Sequence, residues 1–229
     1  MVKYKTNKNG KNNKNGKNDE TNRKNTKKNN AKHRTEWSLK EKILKFLIEN
    51  KEPISILQIS NRLGADYKNT FQAIGRYPDL IIRDKKGNTN FVEMKITSHP
   101  EIYSVESKRT LDFLSENKNM NLAKKDISSL NYPFFIVVVF GSVVKRTNAK
   151  GSDIDICIIS DNEIKTRELI SKLSLLPLNL EIHDFSVNEF ESMLKTREGN
   201  IAKEIIKKNI ILYGAENYYN LTGKWMKKD

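Results

Sequence analysis

The chain has 229 residues, 37% of them hydrophobic and 31% charged, with a formal net charge of +14. No apolar run approaches the roughly 18–20 residues that cross a bilayer, and no apolar leader follows Met1, so a cytoplasmic protein without a membrane partner is expected. The single cysteine, Cys157, excludes an internal disulfide framework and a cysteine-based zinc site.

The charge is concentrated at the start. Residues 1–35 hold 12 basic and 2 acidic side chains and 10 asparagines, with only Met1, Val2, Tyr4 and Ala31 apolar. Such a segment buries too little to offset its ordering entropy, so a disordered basic tail is expected. Its charge suits nucleic acid phosphates, or else it is simply a solvated tail. Residues 36–97 read as the first folded block. Ser38 and Glu41 fit a capping box, and Leu39, Ile43, Leu44, Phe46, Leu47 and Ile48 recur at helical spacing until Asn50 and Pro53. A second helix runs from Ser55 to Leu63 and is broken by Gly64. A third, from Asp66 to Arg76, carries Phe71 and Ile74 inward and leaves Tyr67, Lys68, Asn69, Gln72 and Arg76 outward. Two apolar runs, 80–83 and 91–96, flank Asp84, Lys85, Lys86, Gly87 and Asn88, which read as a hairpin turn.

Three short helices and a hairpin, with glycine between the second and third helices, resemble a winged helix-turn-helix domain. The resemblance implies that Lys68, Asn69, Gln72 and Arg76 face bases of duplex DNA, and that Lys85 and Lys86 touch phosphates from the wing. The bland alternative is a protein-docking module, since 11 basic against 8 acidic residues over 36–97 is a modest surplus.

Residues 98–130 read as a helical connector. Residues 131–229 hold the stretch that carries chemistry. The apolar run 134–140 has the length and β-branching of a buried strand, and Gly141-Ser142 follows it directly. Glycine at a strand end lets backbone approach a ligand closely; Ser142, Lys145 and the amides of the following turn suit a triphosphate. Ten residues after Ser142, Ser152-Asp153-Ile154-Asp155 opens a second apolar strand. Strand periodicity puts Asp153 and Asp155 on one face, where two carboxylates can hold a divalent cation.

Gly141-Ser142, the ten-residue gap and Asp153-Ile154-Asp155 together resemble the nucleotidyltransferase superfamily of DNA polymerase beta, closest to its minimal members, over about residues 120–215. The resemblance implies an α/β fold of α+β type with a mixed sheet, Mg2+, and an NTP donor such as ATP. Gly141, Ser142, Lys145 and Ser152 would position phosphates; Asp153, Asp155 and a third carboxylate would hold metal. On the next strand Glu181 shares the parity of Asp153 and Asp155, whereas Asp184 does not, so Glu181 is favoured as that third group and as acceptor of the substrate proton. His183 shares that parity too, and reads best as a half-exposed strand histidine. Arg146 stands where minimal transferases often have glycine. The last segment should add helices over 187–194 and 201–208 and a strand near 210–214, with Tyr218, Tyr219 and Trp225 packed on the surface. Family resemblance also admits a small helical toxin-like partner. The competing reading is a DNA-binding regulator or antitoxin-like protein that keeps the transferase fold without its chemistry.

Overall fold

The computed structural model describes residues 36–95, 98–147 and 152–225. The tail over 1–35, Ile96 at the end of the second hairpin run, residues 148–151 of the gap before Asp153, and residues 226–229 lie outside the described residues. The architecture is a mixed α/β one with two sheets.

The first block begins with α1 (Leu39–Glu49), capped by Ser38 and Glu41 in the expected reciprocal box. Ile43, Leu44, Leu47 and Ile48 are its buried face. A short strand that the sequence did not announce, β1 (Ile54–Ser55), leads into α2 (Ile56–Leu63), where Ser55 and Gln58 form a second capping box. Asp66 caps α3 (Tyr67–Ile74), accepting from the Asn69 amide. The hairpin is longer than the turn residues suggested. β2 (Ile81–Lys86) pairs with β3 (Thr89–Met94), with Lys86 opposite Thr89, so Asp84, Lys85 and Lys86 are strand residues and only Gly87-Asn88 turn. β1 adds antiparallel to the far side of β3.

Two helices follow, α4 (Pro100–Glu116) and α5 (Met120–Ser129). His99 caps α4, and Pro100 opens its first turn. The second sheet then forms from β4 (Ile136–Phe140), β5 (Ile154–Ile159), β6 (Leu180–Phe185) and β7 (Ile210–Tyr213) in the order β6-β5-β4-β7. β4 runs antiparallel to β5 and β7, and β5 runs parallel to β6. The parallel pair needs a crossover, supplied by α7 (Glu163–Ser174). The remaining helices are α6 (Gly141–Lys145), α8 (Val187–Lys195), α9 (Ile201–Lys207) and α10 (Ala215–Thr222).

Both faces of this sheet are covered, which is why all five residues of β4 are apolar and buried. One face packs Val137, Val139, Ile156 and Ile158 against Ala123, Ile127, Leu169 and Leu173 of α5 and α7. The other packs Val138, Phe140, Cys157 and Ile159 against Phe190, Ile205 and Tyr218, in a core that continues through Ile102 and Val105 of α4 to Ile43 and Leu47 of α1. A buried polar seam runs beside it. Arg109 donates to Glu106 at 2.5 Å, to the Asn209 carbonyl at 2.9 Å and to Glu49 at 3.3 Å. Tyr219 donates to Glu106 at 2.6 Å, and Asn209 donates to the Tyr218 hydroxyl at 2.6 Å. Tyr218 and Tyr219 are thus core residues of a terminal helix, where packing on the surface was expected.

Candidate active site

The site is built where β4 ends and the chain turns at once into α6. Gly141 makes that turn with φ +72°, and a Cβ there would lie 1.8 Å from Asp155 Oδ2. Only glycine lets the backbone pass so close to the carboxylate. Register does the rest. Phe140 stands opposite Asp155 on one side, Glu181 stands opposite Asp155 on the other, and His183 stands opposite Cys157. With a period of two, Asp155, Glu181 and His183 share a face. One ligand atom from each of the three lies within 4.8 Å of the others. Further along β5 the same face is closed by Cys157 and Ile159, so the carboxylates sit at its open end.

The electrostatics follow from this crowding. Partial burial first, then the charge of Glu181, hold the Asp155 carboxyl above its ordinary range; Glu204 and Asp153 add to the push and His183 opposes it. His183 Nε2 lies 3.4 Å from Glu181 Oε1, and its ring tilts against Phe140 at 5.7 Å. Two carboxylates and an imidazole in mutual reach are a fitting donor set for a divalent cation, which would relieve the repulsion that raises Asp155.

The other sequence candidates are distributed unevenly. Asp153 precedes Asp155 by one strand period, but it is not among the three mutually close donors; its carboxylate accepts from the Asn179 side chain. Asp184 stands opposite Ile158, on the other face, so parity separates it from Asp155. Ser142 sits half-buried in α6, Ser152 is exposed before Asp153, and Lys145 is exposed and ion-paired with Glu204. Glu204 was not singled out from sequence, and nothing but the packing of α9 brings it to the site. Arg146 adopts the left-handed conformation, φ 59° and ψ 33°, and its guanidinium donates to both oxygens of Glu116 at 3.0 and 3.2 Å.

In the first block, Lys68, Asn69 and Gln72 are exposed on α3, and Arg76, expected at its last turn, is exposed in the turn that follows, because the helix ends at Ile74. Asn69, Gln72 and Arg76 line a groove of about 360 Å³ together with Ser38, Leu39 and Lys40. Strand alternation points Lys85 and Lys86 to opposite faces of β2; Lys86 lies 3.8 Å from Asp84 and over the Phe91 ring. Phe71 is not inward. The buried face of α3 is Thr70, Ala73 and Ile74, and Phe71 is 38% exposed. The core under an eight-residue helix is satisfied by those smaller side chains, which rotates the bulky ring out.

Residues 123–218 match the family model described as Polymerase beta, Nucleotidyltransferase. Among solved structures, one titled "Crystal structure of the toxin-antitoxin with AMP-PNP" is 22% identical, covering 45% of this chain and 82% of that chain, with a TM-score of 0.31. No curated protein matches the chain. The family match starts within α5, ends within α10 and takes in the whole four-stranded sheet, the Gly141 turn and the carboxylates, so this part of the chain is similar to the polymerase beta nucleotidyltransferases.

Proposed function

We propose that the chain moves a nucleotidyl group, AMP in the first instance, from an NTP to a hydroxyl of a nucleic acid or protein, the hydroxyl oxygen bonding to the α-phosphorus as the α–β anhydride breaks and pyrophosphate leaves, and that the block before it is a winged helix that recruits nucleic acid. The observation that supports transfer most is the in-register opposition of Asp155 and Glu181, with Gly141 backbone pressed against the Asp155 carboxylate. Asp155, Glu181 and His183 would hold the cation, Mg2+ by the family's habit, and Asp153 lies one strand period away to contribute. Such a cation neutralises phosphate charge when bound. The chain's own residues do the positioning. Glu181, exposed at the open end of the face, accepts the proton of the attacking hydroxyl. Ser142 and the backbone at Gly141 offer donors to phosphate oxygens. Lys145 has a cation to give once it exchanges Glu204 for phosphate.

The test incubates the full chain with α-labelled NTPs, Mg2+ and, in turn, RNA, DNA and proteins encoded beside it. Label should appear on one acceptor and vanish in Asp155→Asn and Glu181→Gln. Transfer that survives both substitutions would sink the reading. A second reading draws on Arg146 and the Lys145–Glu204 pair, which leave the phosphate turn without its usual glycine and with its lysine engaged. On that reading the fold serves DNA binding or a protein partner, and no label is transferred to anything.

A further inference from the structure

The outward edge of α3 is aromatic. Tyr67, Phe71 and Gly75 follow one another at four-residue steps, so they form a single stripe. Tyr67 is 41% exposed and Phe71 is 38% exposed, their centroids are 6.3 Å apart and their planes differ by 29°. Arg83, from β2 of the neighbouring hairpin, lies over the Phe71 ring at 5.2 Å. Its Nη2 is only 3.0 Å from where a Cβ on Gly75 would stand, so the missing side chain at Gly75 makes the floor on which the guanidinium rests. Two rings and a guanidinium therefore stand next to one another at the surface, each exposed to water. Packing does not demand it, because the buried face of α3 is complete without Phe71.

We infer that Tyr67, Phe71 and Arg83 are a stacking platform for unpaired bases of single-stranded nucleic acid. This rests on the nucleic-acid role proposed for the first block and narrows it from duplex to single strand. Paired bases keep their faces stacked inside the helix and show only their edges in the groove, so a row of aromatic planes finds no face there to stack on. Unstacked bases present their faces, and aromatic and arginine planes are what bind them. Cations for the strand's phosphates are at hand: Lys68 on α3, Arg76 in the turn after it and Lys85 on β2 are exposed, in a block with 11 basic and 8 acidic side chains.

The test measures fluorescence anisotropy of the full chain with a labelled 12-mer RNA, the DNA of the same sequence, and the corresponding DNA duplex, at one fixed salt concentration. A single strand should bind at least about tenfold more tightly than the duplex. Phe71→Ala should weaken single-strand binding about 5- to 100-fold, leave duplex binding unchanged, and leave the circular dichroism spectrum intact. Phe71→Trp should restore binding, and Arg83→Lys, which keeps charge without the plane, should restore only part. The RNA and DNA arms separate the two sources of an unpaired base. Preference for duplex, or single-strand binding indifferent to Phe71→Ala, overturns this inference while leaving the nucleic-acid role standing. Binding to no arm overturns both. A dimer in sedimentation that Phe71→Ala dissociates, with nucleic acid affinity unchanged, would assign the patch to a second copy and also overturn the inference.

Discussion

Gly141 is the residue on which the site is most exposed to a single change. Its φ of +72° and the 1.8 Å approach to Asp155 mean that Gly141→Ala must both strain the backbone and displace the carboxylate. A loss of about 2–4 kcal/mol is expected, measured by denaturant unfolding, together with loss of divalent-ion binding by calorimetry. Asp155 behaves in the opposite way. A carboxyl whose folded pKa is raised favours the fold at low pH and loses that contribution as pH rises through the raised value, so at neutral pH the ionised group weakens the apo fold. Asp155→Asn should therefore stabilise the apo fold slightly, read as a raised thermal midpoint, while abolishing metal binding. In the parent chain, cation affinity should climb as pH rises through the Asp155 titration, with proton release detectable in buffers of different ionisation enthalpy. Arg146 stores strain outside the carboxylates: a left-handed non-glycine residue costs roughly 1–2 kcal/mol, and its ion pair with Glu116 is largely exposed. Arg146→Gly should be neutral to about 1 kcal/mol stabilising, because the extra freedom of glycine in the unfolded chain offsets part of the relief.

At the scale of elements, caps and register decide more than propensity does. Among the described residues three helices carry a full capping box, at Ser38 and Glu41, Ser55 and Gln58, and Ser186 and Glu189. Ser55 also stands in β1 opposite Phe91, so it ties the start of α2 to the hairpin. Ser55→Ala should cost about 1–2 kcal/mol and lower the melting temperature by several degrees, read by circular dichroism. The parallel pairing of β5 with β6 sets Asp155 against Glu181, and a slip of one residue would set Asp155 against Ile182 and send Glu181 to the other face. On α3 the helical pattern put Phe71 inward beside Ile74, and packing overturned that reading. Thr70, Ala73 and Ile74 filled the space, and the ring was left for Arg83.

Across the whole molecule, the seam around Glu106 and Arg109 holds α1, α4 and α10 to the end of α9. Arg109 and Glu106 are 5% and 2% exposed, so removing one partner leaves a buried charge. Glu106→Gln should cost about 3–5 kcal/mol, while Glu49→Gln, at a side chain 37% exposed, should cost under about 1 kcal/mol. The same seam gives the fold a pH signature. Burial lowers Lys51 to about 8, against the pull of Glu106 and with the repulsion of Arg109. Between pH about 8 and about 10 the unfolded chain binds that proton and the folded chain does not, so stability rises with pH in this window. Above about 10 the order reverses: burial pushes Tyr218 and Tyr219 up, the unfolded tyrosines ionise first, and stability is lost. Denaturant midpoints at half-unit steps from pH 7 to 11 should trace a maximum near 10, and Lys51→Met should flatten the rising limb.

What the sequence determined is whatever depends on local period and on single residue types. The β-branched run at 136–140, the Gly141 turn, the alternation that sorts Asp155, Glu181 and His183 from Ile154, Leu180 and Ile182, and the Ser38 cap are all legible because side-chain direction in a strand and amide satisfaction at a helix start are decided within a few residues. The tertiary structure decided the rest. It brought Glu204 of α9 to Lys145, left Asp153 with Asn179 while Asp155, Glu181 and His183 converged, and buried Tyr218 and Tyr219 against Glu106 and Asn209. It also turned Phe71 into water beside Arg83. Each of these joins residues far apart in the chain or chooses between two faces of a short helix. The choice belongs to whichever arrangement fills the core and satisfies the buried polar atoms, and no local pattern carries that information.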